Sequence, residues 1–188
     1  VTASPIKLIE TRRFGDDRGW FMETFHAEKW AAQGVDVSFV QDNHSLSANV
    51  GTIRGIHFQA PPHAQAKLVR CARGAIIDYA VDLRRGSPTY GKFVAAELSA
   101  ENGKQLFVPV GFGHAFVTIA PDTEVLYKVS DVYAPECDGG IRWDCPRLGI
   151  DWPLPPEGPT LSGKDTTLPV LAEFDSPFTY DGNPLLPL

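Results

Sequence analysis

The sequence predicts an all-β fold, an antiparallel sandwich or barrel carrying a few short helices. Three observations support this. Short segments rich in β-branched and aromatic residues recur along the chain. Turns containing Gly, Pro, Ser and Asn separate them at nearly regular spacing, and only one stretch has the composition of a helix. At 188 residues the chain is long enough for one domain with a substantial core.

Ile6-Lys7-Leu8-Ile9 alternates weakly and opens the series of strands, and Gly19 to Phe25 follows. His26 to Gln33 is Ala-rich and ends at Gly34, which predicts the one clear helix. Gly51-Thr52 then introduces a strand from Ile53 to Gln59. Further strands are read at Lys67 to Arg70, Ala75 to Asp82, Lys92 to Leu98, Gln105 to Val108, His114 to Ile119 and Glu124 to Val129. After Trp152 the chain becomes Pro-rich and irregular. We therefore expect a single domain over 1–188, in which 153–188 is an extended segment wrapping the barrel.

Charge narrows the function classes. The net charge is −6 and no Lys/Arg-rich run exists, so neither nucleic acid nor an anionic membrane surface is an expected partner. An anionic ligand would be held by a few arginines and lysines gathered by folding, which suits a small phosphorylated metabolite. No apolar run approaches the roughly 18 residues needed to cross a membrane, and no signal peptide is read at the start. Cys71, Cys137 and Cys145 form an odd set without Cys-x-x-Cys spacing, so a reduced, cytoplasmic protein is expected, with Cys71 inert in the core.

His57 and Gln59 lie two apart on a strand and point to one face. Gly103 to His114 resembles the second cupin motif, a Gly, five residues, Pro-x-Gly and then His, although Thr118 replaces the usual Asn. Gly51, His57 and Gly74 fit the first cupin motif, but its second His is Gln59 and its Glu is Lys67. An ammonium at a ligand position would repel a divalent cation, so neither metal nor cofactor is expected. A neutral imidazole beside a fixed cation suits a different task, abstraction of a proton next to a carbonyl with the cation holding the enolate oxygen. Two alternatives stay open: a metal-dependent cupin isomerase or oxygenase, and a non-catalytic sugar-nucleotide binding module.

Across almost its whole length the chain resembles the dTDP-4-dehydrorhamnose 3,5-epimerase family. The resemblance rests on Asp17 to Glu23, Gln41 to Ser45, Arg54 to Gln59, Ala64 to Arg70, Asp82 to Arg84 and Gly86 to Gly91. It continues through Leu126 to Lys128, Tyr133 to Pro135, Ile141 to Trp143, Gly149 to Pro153 and Leu161 to Asp165. It implies a cupin-type jelly-roll barrel that epimerises a dTDP-linked 4-keto-6-deoxyhexose at C3, C5 or both. Under the resemblance His57 is the base, oriented by Asp165, Lys67 steadies the enolate oxygen, and Tyr127 returns a proton from the opposite face. Arg18 and Arg54 contact the diphosphate, Phe14 and Tyr133 wall the thymine and its sugar, and Glu23, Gln41 and Asn43 read the base and ribose. His114 meets the sugar or phosphate. Asp138 is a nucleotide contact where a longer Glu is usual. A homodimer with shared sites is also implied, with Arg18 and Glu23 acting across it. One departure lies close to the site: Gly113-His114-Ala115-Phe116 stands where the family commonly has Ala-His-Gly-Phe.

Overall fold

A computed structural model of the protein describes residues 4–188. The chain runs through β1 (Lys7–Glu10), β2 (Arg13–Asp16), β3 (Gly19–Met22), α1 (Ala27–Ala31), β4 (Gln41–Ser47) and β5 (Ile53–Gln59). It continues through β6 (Lys67–Arg73), β7 (Ala75–Asp82), β8 (Phe93–Ser99), β9 (Lys104–Val108), β10 (Phe112–Thr118), β11 (Thr123–Val129) and β12 (Asp138–Gly140). Ten of these strands form two five-stranded sheets, ordered β1-β9-β6-β11-β4 and β12-β5-β10-β7-β8, and β2 and β3 pair only with each other. Every named pairing is antiparallel. From β4 to β11 the chain passes from one sheet to the other at every connection except the β7–β8 hairpin, as a cupin-type jelly roll does.

Three apolar layers hold the sheets. Val69, Cys71, Leu106 and Val125 of the first sheet meet Ile76, Ala80, Leu98 and Phe116 of the second. Leu68, Phe107 and Ile9, on the outside of the first sheet, are covered by Trp30 of α1 and by Val35. The outside of the second sheet buries Ile53, Ile56, Tyr79 and Val81 beneath Ile141, Leu148, Trp152 and Leu171. Each fully buried aliphatic or aromatic side chain contributes roughly 1.5–3 kcal/mol. Because both faces are covered, all of β10 is buried, and that strand reads as a continuous run instead of an alternation.

Beyond β12 the chain crosses the outer face of the second sheet. Thr160 bridges Thr52, Thr179 bridges Arg85, and Leu185 enters the inner core. Among the described residues no helix is long and apolar enough to cross a membrane.

Some elements differ from the sequence expectation. The helix is shorter than His26 to Gln33, and β3 stops at Met22. The strands β2, β4 and β12 were unforeseen. In β4, residues Gln41, Asn43 and Ser45 turn toward the cavity and carry no apolar signal. β2 carries Gly15 and two charges and forms an exposed hairpin with β3.

Candidate active site

The site opens between the two sheets, and a bulge in β5 gives it its shape. His57 stands opposite His114 and Arg54 opposite Phe116, so Gly55 and Ile56 together face Ala115 alone. The extra residue resets the strand's phase. Arg54 and His57, three apart, both point inward, while Ile56 turns outward into the apolar layer. Gly55 takes φ +132°, and a Cβ there would stand 2.5 Å from the Cβ of Ala115. Only glycine fits this crossing.

His57 Nε2 lies 2.5 Å from Asp165 Oδ1, and the Gly55 N–H donates to Asp165 Oδ2 at 3.2 Å. Asp165 is 2% exposed. Burial alone would raise its pKa, but the His57 hydrogen bond and charge, the Gly55 N–H and Lys164 hold it below the usual carboxylate value. It is therefore an anion that fixes the imidazole. Because Nε2 is committed to Asp165, Nδ1 is the nitrogen with a free lone pair.

Lys67 and Tyr127 come from the facing sheet, with the Lys67 ammonium 5.8 Å from the centre of the Tyr127 ring. Burial pulls the Lys67 pKa down to about 8, against the upward pull of Asp78 and Asp138, and Lys164 lowers it further. Burial also pushes Tyr127 above its ordinary value, so its phenol stays protonated at neutral pH. His114 is buried, with Nε2 2.6 Å from Asp78 Oδ1. Desolvation raises the Asp78 pKa, opposed by His114 and Lys67.

These groups line a cavity of two adjoining lobes. The first, of about 420 Å³, brings together His57, Asp165, Lys67, Tyr127, Arg54 and His114. The second, of about 460 Å³, gathers Gln41, Asn43, Tyr133 and Asp138. His57, Lys67, Tyr127 and Lys164 line both. Arg54 is braced by Ser47 Oγ and the Leu46 carbonyl, and Gln41 accepts the Tyr133 N–H. Phe14, Arg18 and Glu23 line neither lobe. Phe14 lies on the exposed hairpin, Arg18 pairs with Asp16, and Glu23 pairs with Lys29.

The residues at the cupin ligand positions do not suit a metal. The Gln59 amide donates to the His63 and Val132 carbonyls and accepts the Ala134 N–H, so it is consumed in holding a loop. His57 and His114 are each committed to a carboxylate, and Lys67 brings a positive charge. Thr118, at the motif's Asn position, ties Thr52 to Asn49.

Sequence reasoning missed Asp78, Lys164 and Ser45. Asp78 is an isolated carboxylate within the apolar run Ala75 to Val81, and that isolation was the available signal. Lys164 pairs with Asp138. Ser45 Oγ is buried without a hydrogen-bond partner and lines the first lobe.

Comparison with known proteins gives a consistent result. The family profile described as dTDP-4-dehydrorhamnose 3,5-epimerase matches residues 3–173. A dTDP-4-dehydrorhamnose 3,5-epimerase from Sinorhizobium fredii is 54% identical over 181 residues, 96% of this chain and 92% of that protein. The enzyme of that name from Bacillus anthracis, crystallised with TDP and PPi, superposes with a TM-score of 0.85 at 49% identity, covering 88% of this chain and 94% of its own. The dTDP-6-deoxy-D-glucose-3,5-epimerase of Legionella pneumophila, in complex with dTDP-4-keto-L-rhamnose, gives 0.87 at 41% identity, with coverage of 91% and 90%.

Proposed function

The chain belongs to the dTDP-4-dehydrorhamnose 3,5-epimerase family, and from that premise we propose that it epimerises a dTDP-linked 4-keto-6-deoxyhexose at both C3 and C5. The observation that carries the proposal is the opposition of His57, rising from one sheet, and Tyr127, from the sheet facing it, with Lys67 beside Tyr127. A base and an acid on opposite walls can invert a carbon held between them.

In this reading His57 Nδ1 takes the proton from the carbon next to the C4 ketone. The C–H electron pair moves into the ring and onto the C4 oxygen, where the Lys67 ammonium meets the developing charge. Asp165 remains ionised and stabilises the imidazolium. Tyr127 then delivers its phenolic proton to the opposite face. The enolate electrons form the new C–H bond, the ketone returns, and the stereocentre is inverted. The proton on His57 and the one missing from Tyr127 are restored through solvent before the second centre reacts.

Arg54 supplies a guanidinium for the diphosphate. Gln41, Asn43 and Asp138 offer polar groups to the nucleoside, Tyr133 a stacking ring, and His114 a sugar or phosphate contact. Phe14, Arg18 and Glu23 are assigned to the cavity of a second copy, because the β2–β3 hairpin holds Phe14, Trp20 and Phe21 out in solvent. A homodimer with shared sites accounts for that exposure. We read the chain as one domain, completed by its C-terminal segment. The three free cysteines are buried, and a reducing cytoplasm suits them.

Incubation with dTDP-4-keto-6-deoxyglucose in deuterated water tests the function. The proposal expects one deuterium at C3 and one at C5, resolved by NMR. Label at a single carbon would restrict the enzyme to that centre, and no label at either would overturn the proposal.

A further inference from the structure

Asp138 and Lys164 form an ion pair that the proton-transfer steps leave unused. The pair joins two parts of the chain that flank the base. Asp138 lies opposite Gln59 in the β12–β5 pairing, and Gly140 lies opposite His57. Lys164 immediately precedes Asp165, the partner of His57. Lys164 lines both lobes, as Lys67 does, and Asp138 lines the second. Two ammonium groups thus share one waist of the cavity.

The charged groups around that waist are mostly committed to one another. On the second sheet His57 is bonded to Asp165 and His114 to Asp78. Arg54 is braced against β4, and Tyr127 presents its ring to Lys67. Two carboxylates favour the charge on Lys67. Asp78 gives one oxygen to His114, and Asp138 is held by Lys164, whose own charge opposes Lys67.

Building on the epimerase reading, we propose that Asp138 is a positioning residue for Lys67. Paired with Lys164, it offsets that ammonium at the cavity waist and keeps Lys67 protonated to receive the enolate. Without Asp138, the Lys164 charge would oppose Lys67 with only Asp78 left to favour the Lys67 ammonium.

The test is the pH dependence of kcat/KM for solvent deuterium exchange in wild type, Asp138→Asn, Lys164→Met, the double variant and Asp138→Glu. Wild-type exchange is expected to fall as pH rises through about 8, the value to which burial lowers the Lys67 ammonium. Tyr127 is held above its ordinary value and titrates beyond this window. Asp138→Asn is expected to move the basic limb down by on the order of one pH unit, and Lys164→Met to move it up by a similar amount. The double variant should return close to wild type, and Asp138→Glu should restore the limb. A limb unmoved in either single variant, or both singles moving it in the same direction, would overturn the inference. Failure of the wild-type protein to exchange at any pH would instead count against the epimerase reading. The two failures are therefore distinguishable.

Discussion

Replacing Lys67 with Met should stabilise the protein while disabling it. Lys67 is 9% exposed, and both nearby carboxylates are bonded to other partners. Burial takes its pKa from 10.5 to about 8, and at about 1.36 kcal/mol per unit this is a folding cost of roughly 3 kcal/mol. The sign follows from proton counting. Below about pH 8 the ammonium is charged in both states, so the full cost is present. Between about 8 and 10.5 the unfolded chain binds the proton and the folded chain does not, so wild-type stability rises with pH. Met has a similar shape and no charge, but its introduction leaves Asp78 without a neighbouring cation. A net gain of about 1–3 kcal/mol at pH 7 is expected, or about 2–4 °C in Tm for each kcal/mol. Urea unfolding at pH 7, repeated up to pH 10, measures it, and the gain should shrink as pH rises. Exchange activity should fall by about 10²–10³-fold or more, as when a stabiliser of developing charge is lost. A variant less stable than wild type at pH 7, or a gain that stays flat to pH 10, would refute the reasoning.

Further outcomes follow from the same geometry. Asp165→Asn removes the carboxylate charge and, with the amide oxygen kept by the Gly55 N–H, turns an NH2 donor toward His57 Nε2. The imidazole is then held in the wrong tautomer, and kcat should fall by about 10²–10⁴-fold in steady-state assays. Asp165 is held below its ordinary value of 3.8, so its stabilising effect is present above that pH and lost as pH falls through the folded value. Acid unfolding of Asp165→Asn should accordingly show a weaker pH dependence than wild type. Tyr127→Phe should still exchange deuterium at the carbon facing His57 but invert it about 10²–10⁴-fold more slowly. Gly55→Ala would set a Cβ 2.7 Å from the His114 carbonyl oxygen at φ +132°, and denaturant unfolding should register a loss of about 3 kcal/mol or more.

Much of this was legible in the sequence, and the parts that were not have physical reasons. The strands that build the inner core announced themselves, because Ala75 to Asp82 and Glu124 to Val129 are dense in apolar residues, with Ile76, Ala80 and Val125 in the inner core. β4 gives no strand signal in the sequence because its inward residues serve the cavity and not the core, so function erases the pattern on which strand recognition depends. The spacing of His57 and Gln59 correctly placed both on one face. It could not reveal that Arg54 joins them, since a regular strand would turn Arg54 outward. Gly55 was visible, but its meaning depends on Ala115, sixty residues away in sequence. The exchange of Gly and Ala around His114 has a packing reason as well: a Cβ on Gly113 would stand 2.5 Å from Ile56 Cγ2, the side chain that the bulge turns outward. Asp78 and Lys164 were missed because each acts through a partner distant in the chain.

The central claim is that His57 removes the proton next to the ketone. Its most direct test uses dTDP-4-keto-6-deoxyglucose deuterated at C5, with loss of the label to ordinary water followed by NMR for wild type and His57→Asn. Wild type should wash the label out and His57→Asn should retain it, with fold and dTDP binding intact in both. Washout by His57→Asn at the wild-type rate would contradict the account.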